Sequence, residues 1–187
     1  MTPISDKKKA IFASTLELIK TNGFHGTPIS LVVKNAGVAA GTVYHYFDSK
    51  DELICELFAY NRCRMIEIID TTLAEDASYK ETFFNIYTKL YDFYIQNTNV
   101  LIFFEQFVNS PYNSNKKYPH AQSQLQSFFI DGIEKGYIKS IKPEILKILT
   151  LGSIATTAKL NIYGENPLAD YELKQIVELF WDGISRN

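Results

Sequence analysis

Cysteine and histidine are scarce in this chain, two and three among 187 residues. Cys55 and Cys63 fall in one helical stretch, about 12 Å apart at 1.5 Å per residue, too far to bridge each other. Neither lies in a CxxC pair or a cationic cluster, so both read as reduced thiols. His25, His45 and His120 lack ligand spacing; no metal and no cofactor are expected. Long hydrophobic runs are missing too. The longest, "VLIFFEQFV" at 100–108, is broken by Glu105 and Gln106 and is far short of the ~20 residues that cross a bilayer. The N-terminus has no apolar h-region with a small-residue cleavage site, so a cytoplasmic protein without a membrane partner is expected. No nucleophile, base and orienting group fall into a catalytic pattern, which argues against an enzyme.

What is present is a foldable composition: 46% hydrophobic, 14% aromatic and 21% charged, too apolar for a disordered chain. The net charge is only −2, but it is unevenly spread. Residues 1–50 hold six lysines against Asp6, Glu17 and Asp48, whereas the rest carries 13 basic and 18 acidic residues. A polyanion would therefore be met by the N-terminal quarter.

Strand patterns are nearly absent and helical spacing recurs throughout, which predicts an all-α fold of about nine helices. The first spans about 5–22, capped by Ser5 or Asp6 and ended by Asn22-Gly23. The second runs from Pro28 to Ala36 with Ile29, Val32, Val33 and Ala36 on one face. Ser49 caps a long helix to about Thr72, with Glu52 at the reciprocal position of a capping box. Further helices are expected at about 79–96, 98–109, 120–135, 143–162 and 169–184. The stretch "SPYNSNKKYP" at 110–119 reads as a loop.

The segment "AGVAAGTVYHYFDSK", residues 36–50, decides between two phosphate chemistries. A P-loop needs four residues between its glycines and then Lys-Ser/Thr; Gly37 and Gly41 are separated by three, and no lysine follows. A dinucleotide fingerprint needs a third glycine where Tyr44 stands, and an incoming strand. As helix, turn and helix the segment is consistent: Gly37 permits the left-handed reversal, and Val38 anchors it. A short helix starting near Ala39 then turns Val43 and Phe47 inward and Gly41, Thr42 and His45 outward, with Tyr44 and Tyr46 flanking the outer strip. Such a helix suits a major groove.

The string "AGV..GT.YHYF.SK.EL", preceded by "KAIFASTLELIKTNGFHGTPI", resembles the DNA-binding signature of the TetR/AcrR family of bacterial transcriptional regulators, over about residues 8–58. The resemblance implies an N-terminal helix-turn-helix head of three helices, residues 1–48, followed by a helical ligand-binding and dimerisation domain, residues 49–187. It also implies that Thr27, Thr42, Tyr44, His45, Tyr46 and Lys50 touch the backbone or groove of double-stranded DNA. Ala39 and Ala40 depart from the family, which often has Ser and a long polar residue there. Without Arg, Asn or Gln for bidentate contacts, specificity is expected from Tyr44, Ser30, Ala40 on thymine methyls and DNA shape, and Gly41 is counted with the DNA-binding residues.

Beyond the head the resemblance implies a small-molecule effector that shifts the spacing of two heads in a homodimer on a palindromic operator. Candidate lining is aromatic: Phe84, Tyr87, Tyr91, Tyr94, Phe103, Phe104, Phe107 and Phe128. Glu105, on an apolar face, calls for a structural partner or a ligand group. For the dimer, Gly152 and Ala155 permit close helix approach, and Ile176, Phe180 and Trp181 supply bulk. The function expected is a repressor released by a small apolar or aromatic ligand. The alternative is a helical small-molecule carrier or sensor whose head has weakened.

Overall fold

The computed structural model describes residues 4–114 and 124–186. The part of the 110–119 loop from 115 on, His120 and the expected helix start at 120–123 lie outside the described residues. Nine α-helices are found among the described residues: α1 Asp6–Asn22, α2 Ile29–Ala36, α3 Ala40–Tyr46, α4 Lys50–Leu73, α5 Tyr79–Gln96, α6 Thr98–Val108, α7 Gln124–Glu134, α8 Pro143–Tyr163 and α9 Asp170–Ile184. A 3-10 turn occupies Pro111–Ser114. The extended pairing among them is one isolated bridge, Ile138 with Ser185. The stretch "SLVV", with its β-branched valines, lies inside α2.

The chain divides into two compact units, Met1–Cys63 with Thr98–Pro119, and Arg64–Asn97 with His120–Asn187. In the first, α1, α2, α3, the start of α4 and α6 share one core. Ile11, Phe12 and Ile19 meet Val32, Val43, Phe47, Leu53 and Leu57, and α6 adds Phe103 and Phe107. Phe58 of α4 stacks on Phe107 with centroids 4.0 Å apart. Gln106 of α6 donates Nε2 to the Ile19 carbonyl at 3.2 Å, joining the Gly23 N–H that already caps this oxygen at 2.8 Å. Phe103 and Phe107 therefore support the first unit, although they had been expected to line a ligand site.

In the second unit α5 is the central helix. Its start has a complete capping box: Glu81 N–H donates to Ser78 Oγ at 3.3 Å, and Ser78 N–H to Glu81 Oε2 at 3.0 Å. Phe83, Ile86, Tyr87 and Leu90 are fully buried, as a helix apolar on most of its circumference requires. Gly132 of α7 lets Tyr79 lie close: a Cβ there would meet its hydroxyl oxygen at 2.0 Å. The Tyr79 ring stacks on Phe128 at 4.2 Å and its hydroxyl donates to the Phe128 carbonyl at 3.0 Å. Burial, and then the Asp131 carboxylate, push the Tyr79 phenol above its ordinary pKa.

Among the described residues one helix, α8, is long and apolar enough to cross a membrane, with mean hydropathy 1.2 over its best window. Its apolarity has two sources. Leu146, Ile154 and Ala158 face the unit's interior, while Ile145, Leu149, Leu160 and Tyr163 are exposed.

Candidate nucleic-acid interface

The turn between α2 and α3 forms as its glycine dictates. Gly37 adopts φ 63° and ψ 31°, the left-handed conformation, and its N–H faces the Val33 and Lys34 carbonyls. An L side chain would resist that conformation. Three residues later α3 begins, held by Val43 and Phe47, which are 0% and 1% exposed. The opposite side of α3 is open: Ala39, Ala40, Gly41 and His45 are exposed, Thr42 is half-buried, and Tyr44 is 57% exposed. Ser30, at the start of α2, is exposed as well. The outward strip read from the sequence is thus assembled on one surface.

Three of the expected DNA contacts are placed differently. Tyr46 is half-buried, and its hydroxyl lies 2.7 Å from Ser5 Oγ, tying α3 to the start of α1. Thr27 is 2% exposed, and its Oγ1 donates to the Gly23 carbonyl at 2.8 Å. Lys50 is half-buried, with its ammonium on the Phe24 carbonyl. Its stem lines a narrow crevice with Thr15, Ile19 and Leu53. Thr27 and Lys50 together close the α1–α2 turn. This placement was not legible in the sequence, because it requires α4 to pass beside residues 23–27.

Of the N-terminal lysines, Lys8 pairs with Glu56 at 2.6 Å and sits 5.2 Å from the Phe47 ring centroid. Lys9 lies 3.3 Å from Asp6, while Lys7, Lys20 and Lys34 are exposed. The start of α4 departs from a reciprocal capping box by one residue. Glu52 N–H donates to Ser49 Oγ at 3.1 Å, but the Glu52 carboxylate takes the Asp48 N–H at 2.8 Å. At the edge of this unit Tyr112 packs edge-on against Phe24 at 5.1 Å. Burial, then the neighbouring Asp51 carboxylate, raise the Tyr112 pKa.

Two family models match the chain. "Bacterial regulatory proteins, tetR family" covers residues 11–57, and "Tetracyclin repressor-like, C-terminal domain" covers 78–185. The chain belongs to the tetR family of bacterial regulatory proteins. It is 26% identical over 192 residues to an uncharacterized HTH-type transcriptional regulator of Haemophilus influenzae, covering 97% of both chains. It is 31% identical over 96 residues to the fatty acid metabolism regulator protein of Bacillus subtilis, covering 51% of this chain and only 50% of that one. The crystal structure of a TetR-family regulator from Haemophilus influenzae superimposes with a TM-score of 0.83 at 21% identity, covering 97% of each chain. This chain is a TetR-family transcriptional regulator with a helix-turn-helix formed by α2 and α3.

In this TetR-family chain the expected ligand-lining residues fall into two groups. Phe84, Tyr87, Tyr91, Tyr94 and Phe128 are in the second unit, whereas Phe103, Phe104, Glu105 and Phe107 are in the first. Glu105 is half-buried, which removes the premise of an enclosed carboxylate. Tyr87 is fully buried, with its hydroxyl 2.7 Å from Ser153 Oγ and 3.0 Å from Thr157 Oγ1. That hydroxyl cluster on α5 and α8 was missed in the sequence, since its members are 66 and 70 residues apart. Tyr94 donates to Met65 Sδ at 3.6 Å.

The expected dimer residues also separate. Gly152 is exposed, and Ala155, Ile176 and Phe180 are half-buried. Trp181 is 8% exposed and packs 5.5 Å from Phe83 within the same unit. Its bulk therefore serves this chain's own core. The most open large apolar residues on α8 and α9 are Ile148, Tyr171 and Leu179, at 66%, 65% and 76% exposure. Among the described residues no cluster of His, Cys, Asp and Glu could hold a metal ion.

Proposed function

We propose that this regulator is a cytoplasmic repressor that binds a palindromic operator as a homodimer and leaves it when a small apolar or aromatic ligand binds. Residues 1–48 serve as the DNA-binding part and residues 49–187 as the effector and dimerisation part. The observation that carries the reading is the open outer face of α3 on a closed core: Tyr44 is 57% exposed while Val43 beside it is 0% exposed. Ser30, Ala40, Gly41, Thr42, Tyr44 and His45 meet the groove, and exposed Lys7, Lys20 and Lys34 supply cations for phosphates. Tyr46, Thr27 and Lys50 act on DNA through the positions they fix. No catalytic role is assigned.

The dimer reading rests on α8 and α9. Ile145, Leu149, Gly152 and Leu160 recur on one side of α8, and Tyr171 and Leu179 on α9, all exposed in the single chain. Gly152 meets nothing within 4 Å where a Cβ would stand. A helical glycine costs about 0.5–1 kcal/mol relative to alanine, and close approach of a partner helix is a reason to keep it. For the effector, Tyr87, Tyr91, Tyr94, Phe84 and Phe128 offer aromatic surface, with the Tyr87, Ser153 and Thr157 hydroxyls as a polar anchor. The Bacillus subtilis relative is a fatty acid metabolism regulator, so a long-chain fatty acid is the first effector probe.

The test is fluorescence anisotropy with a duplex enriched by this protein from a random pool, against a scrambled duplex, over a salt series. Selective, salt-sensitive binding that is weakened in Tyr44→Ala supports the reading. Equal weak binding to both duplexes, unchanged by the substitution, refutes it and favours a small-molecule carrier.

A further inference from the structure

How this head selects bases can be argued from what α3 lacks. From Val38 to Phe47 the sequence is "VAAGTVYHYF", without Arg, Lys, Asn, Gln, Asp or Glu. Bidentate pairing with guanine or adenine needs two hydrogen-bonding groups on one long side chain, and α3 carries none. His45 offers a single hydrogen bond at a time from its outer edge, and its ring lies 5.4 Å from that of Tyr46. The hydrogen-bond code of the major groove is therefore mostly out of reach of this helix.

Apart from the Thr42 and Tyr44 hydroxyls, its remaining outer surface is apolar. Ala40 and Tyr44 are four residues apart and so share a face, with Gly41 between them in the helical lattice. Gly41 is not among the glycines with positive φ, and a Cβ at this position would meet nothing within 4 Å. Neither the backbone nor packing within the chain calls for a glycine, and glycine is a poor helix former. The absent side chain leaves room for something outside the chain. Tyr44 stands at the edge of that opening, and its hydroxyl makes no hydrogen bond among the described residues. A methyl, a bare stretch of helix and a phenol ring together form a shallow apolar seat.

The apolar group that the major groove presents is the C5-methyl of thymine. We propose that α3 selects its operator by seating thymine C5-methyls against Ala40, Gly41 and the Tyr44 ring, with purine hydrogen-bond edges contributing little. This rests on the reading of α2 and α3 as the operator-binding head, and it makes Gly41 and Tyr44 specificity-determining residues.

The test alters the DNA first and then the seat on the protein. In the enriched operator, each thymine is replaced by deoxyuridine, which removes the methyl and keeps every hydrogen-bonding group. In a parallel series each guanine is replaced by 7-deazaguanine, which removes the N7 acceptor. Burying one methyl-sized group corresponds to about fourfold in affinity. One seated thymine is therefore expected to cost about fourfold, and its equivalents in both half-sites about fifteenfold. The 7-deazaguanine series is expected to change affinity less than twofold, on the order of the contacts that α3 cannot make. In Tyr44→Ala, and in Gly41→Ala where the seat is filled, the difference between thymine and deoxyuridine duplexes should shrink towards none. Selective binding that ignores deoxyuridine but weakens with 7-deazaguanine overturns the proposal and leaves the head reading intact. Failure to enrich any duplex overturns the head reading itself, and this proposal with it.

Discussion

Replacing Lys50 with methionine separates two roles for the lysine at the start of α4. Methionine retains most of the aliphatic length that lines the crevice beside Ile19 and Leu53 but removes the ammonium that holds the Phe24 carbonyl. A hydrogen bond from a charged donor contributes about 1.5–3 kcal/mol. Because Lys50 is half-buried and water can replace part of the contact, we expect a loss of about 1–2 kcal/mol. For a chain of this size that is a fall of about 2–8 °C in Tm. Operator affinity should fall only as far as the α1–α2 turn loosens, and its dependence on salt should keep its slope, because no phosphate loses a cation. Each phosphate neutralised contributes about 0.9 to that slope. Thermal unfolding and anisotropy across a salt series measure both quantities on the same preparation. An unchanged Tm with a slope smaller by about 0.9 per head would refute the inward placement and return Lys50 to the phosphate backbone.

Thr27→Val should follow the same logic with a neutral group: about 1 kcal/mol of stability lost with its bond to the Gly23 carbonyl, read by urea unfolding. Gly132→Ala should destabilise by about 1–3 kcal/mol, since its Cβ would run into the Tyr79 ring; Tyr79→Ala in the same chain should make the alanine neutral, and additive losses in that double variant would contradict the packing. Leu149→Lys with Leu179→Lys should leave the helical content intact and shift sedimentation from dimer to monomer if the open faces of α8 and α9 meet across a two-fold axis. Burial and then the Asp170 carboxylate hold Asp92 above the usual carboxylate range. The folded chain therefore binds its proton more readily than the unfolded chain, and stability is lost as pH rises through that window. Asp92→Asn should stabilise at neutral pH and have no effect once both states are protonated; equal gains at both ends of a pH series of urea melts would count against this.

Much of the architecture was legible because it depends on neighbours in sequence. Helical spacing located the nine helices, and Gly37 marked the reversal before α3, since only local backbone geometry was needed. The inward pair Val43 and Phe47 and the outward strip from Ala40 to His45 follow from the same periodicity. The capping at α4 was read one residue out: Ser49 caps as expected, but the Glu52 carboxylate reaches Asp48.

Where a side chain's partner lies far along the chain, periodicity says nothing. The sequence by itself determined that this is a helical TetR-family regulator whose α3 bears small and aromatic residues where long polar ones could stand. Only the tertiary structure decided that Thr27 and Lys50 close the α1–α2 turn, that Phe103 and Phe107 belong to the core beneath the head, and that Trp181 packs on Phe83 while Leu149 and Leu179 face outward. An apolar face in a sequence states that something must cover it; which element does so is set by how helices dozens of residues apart come to share a core.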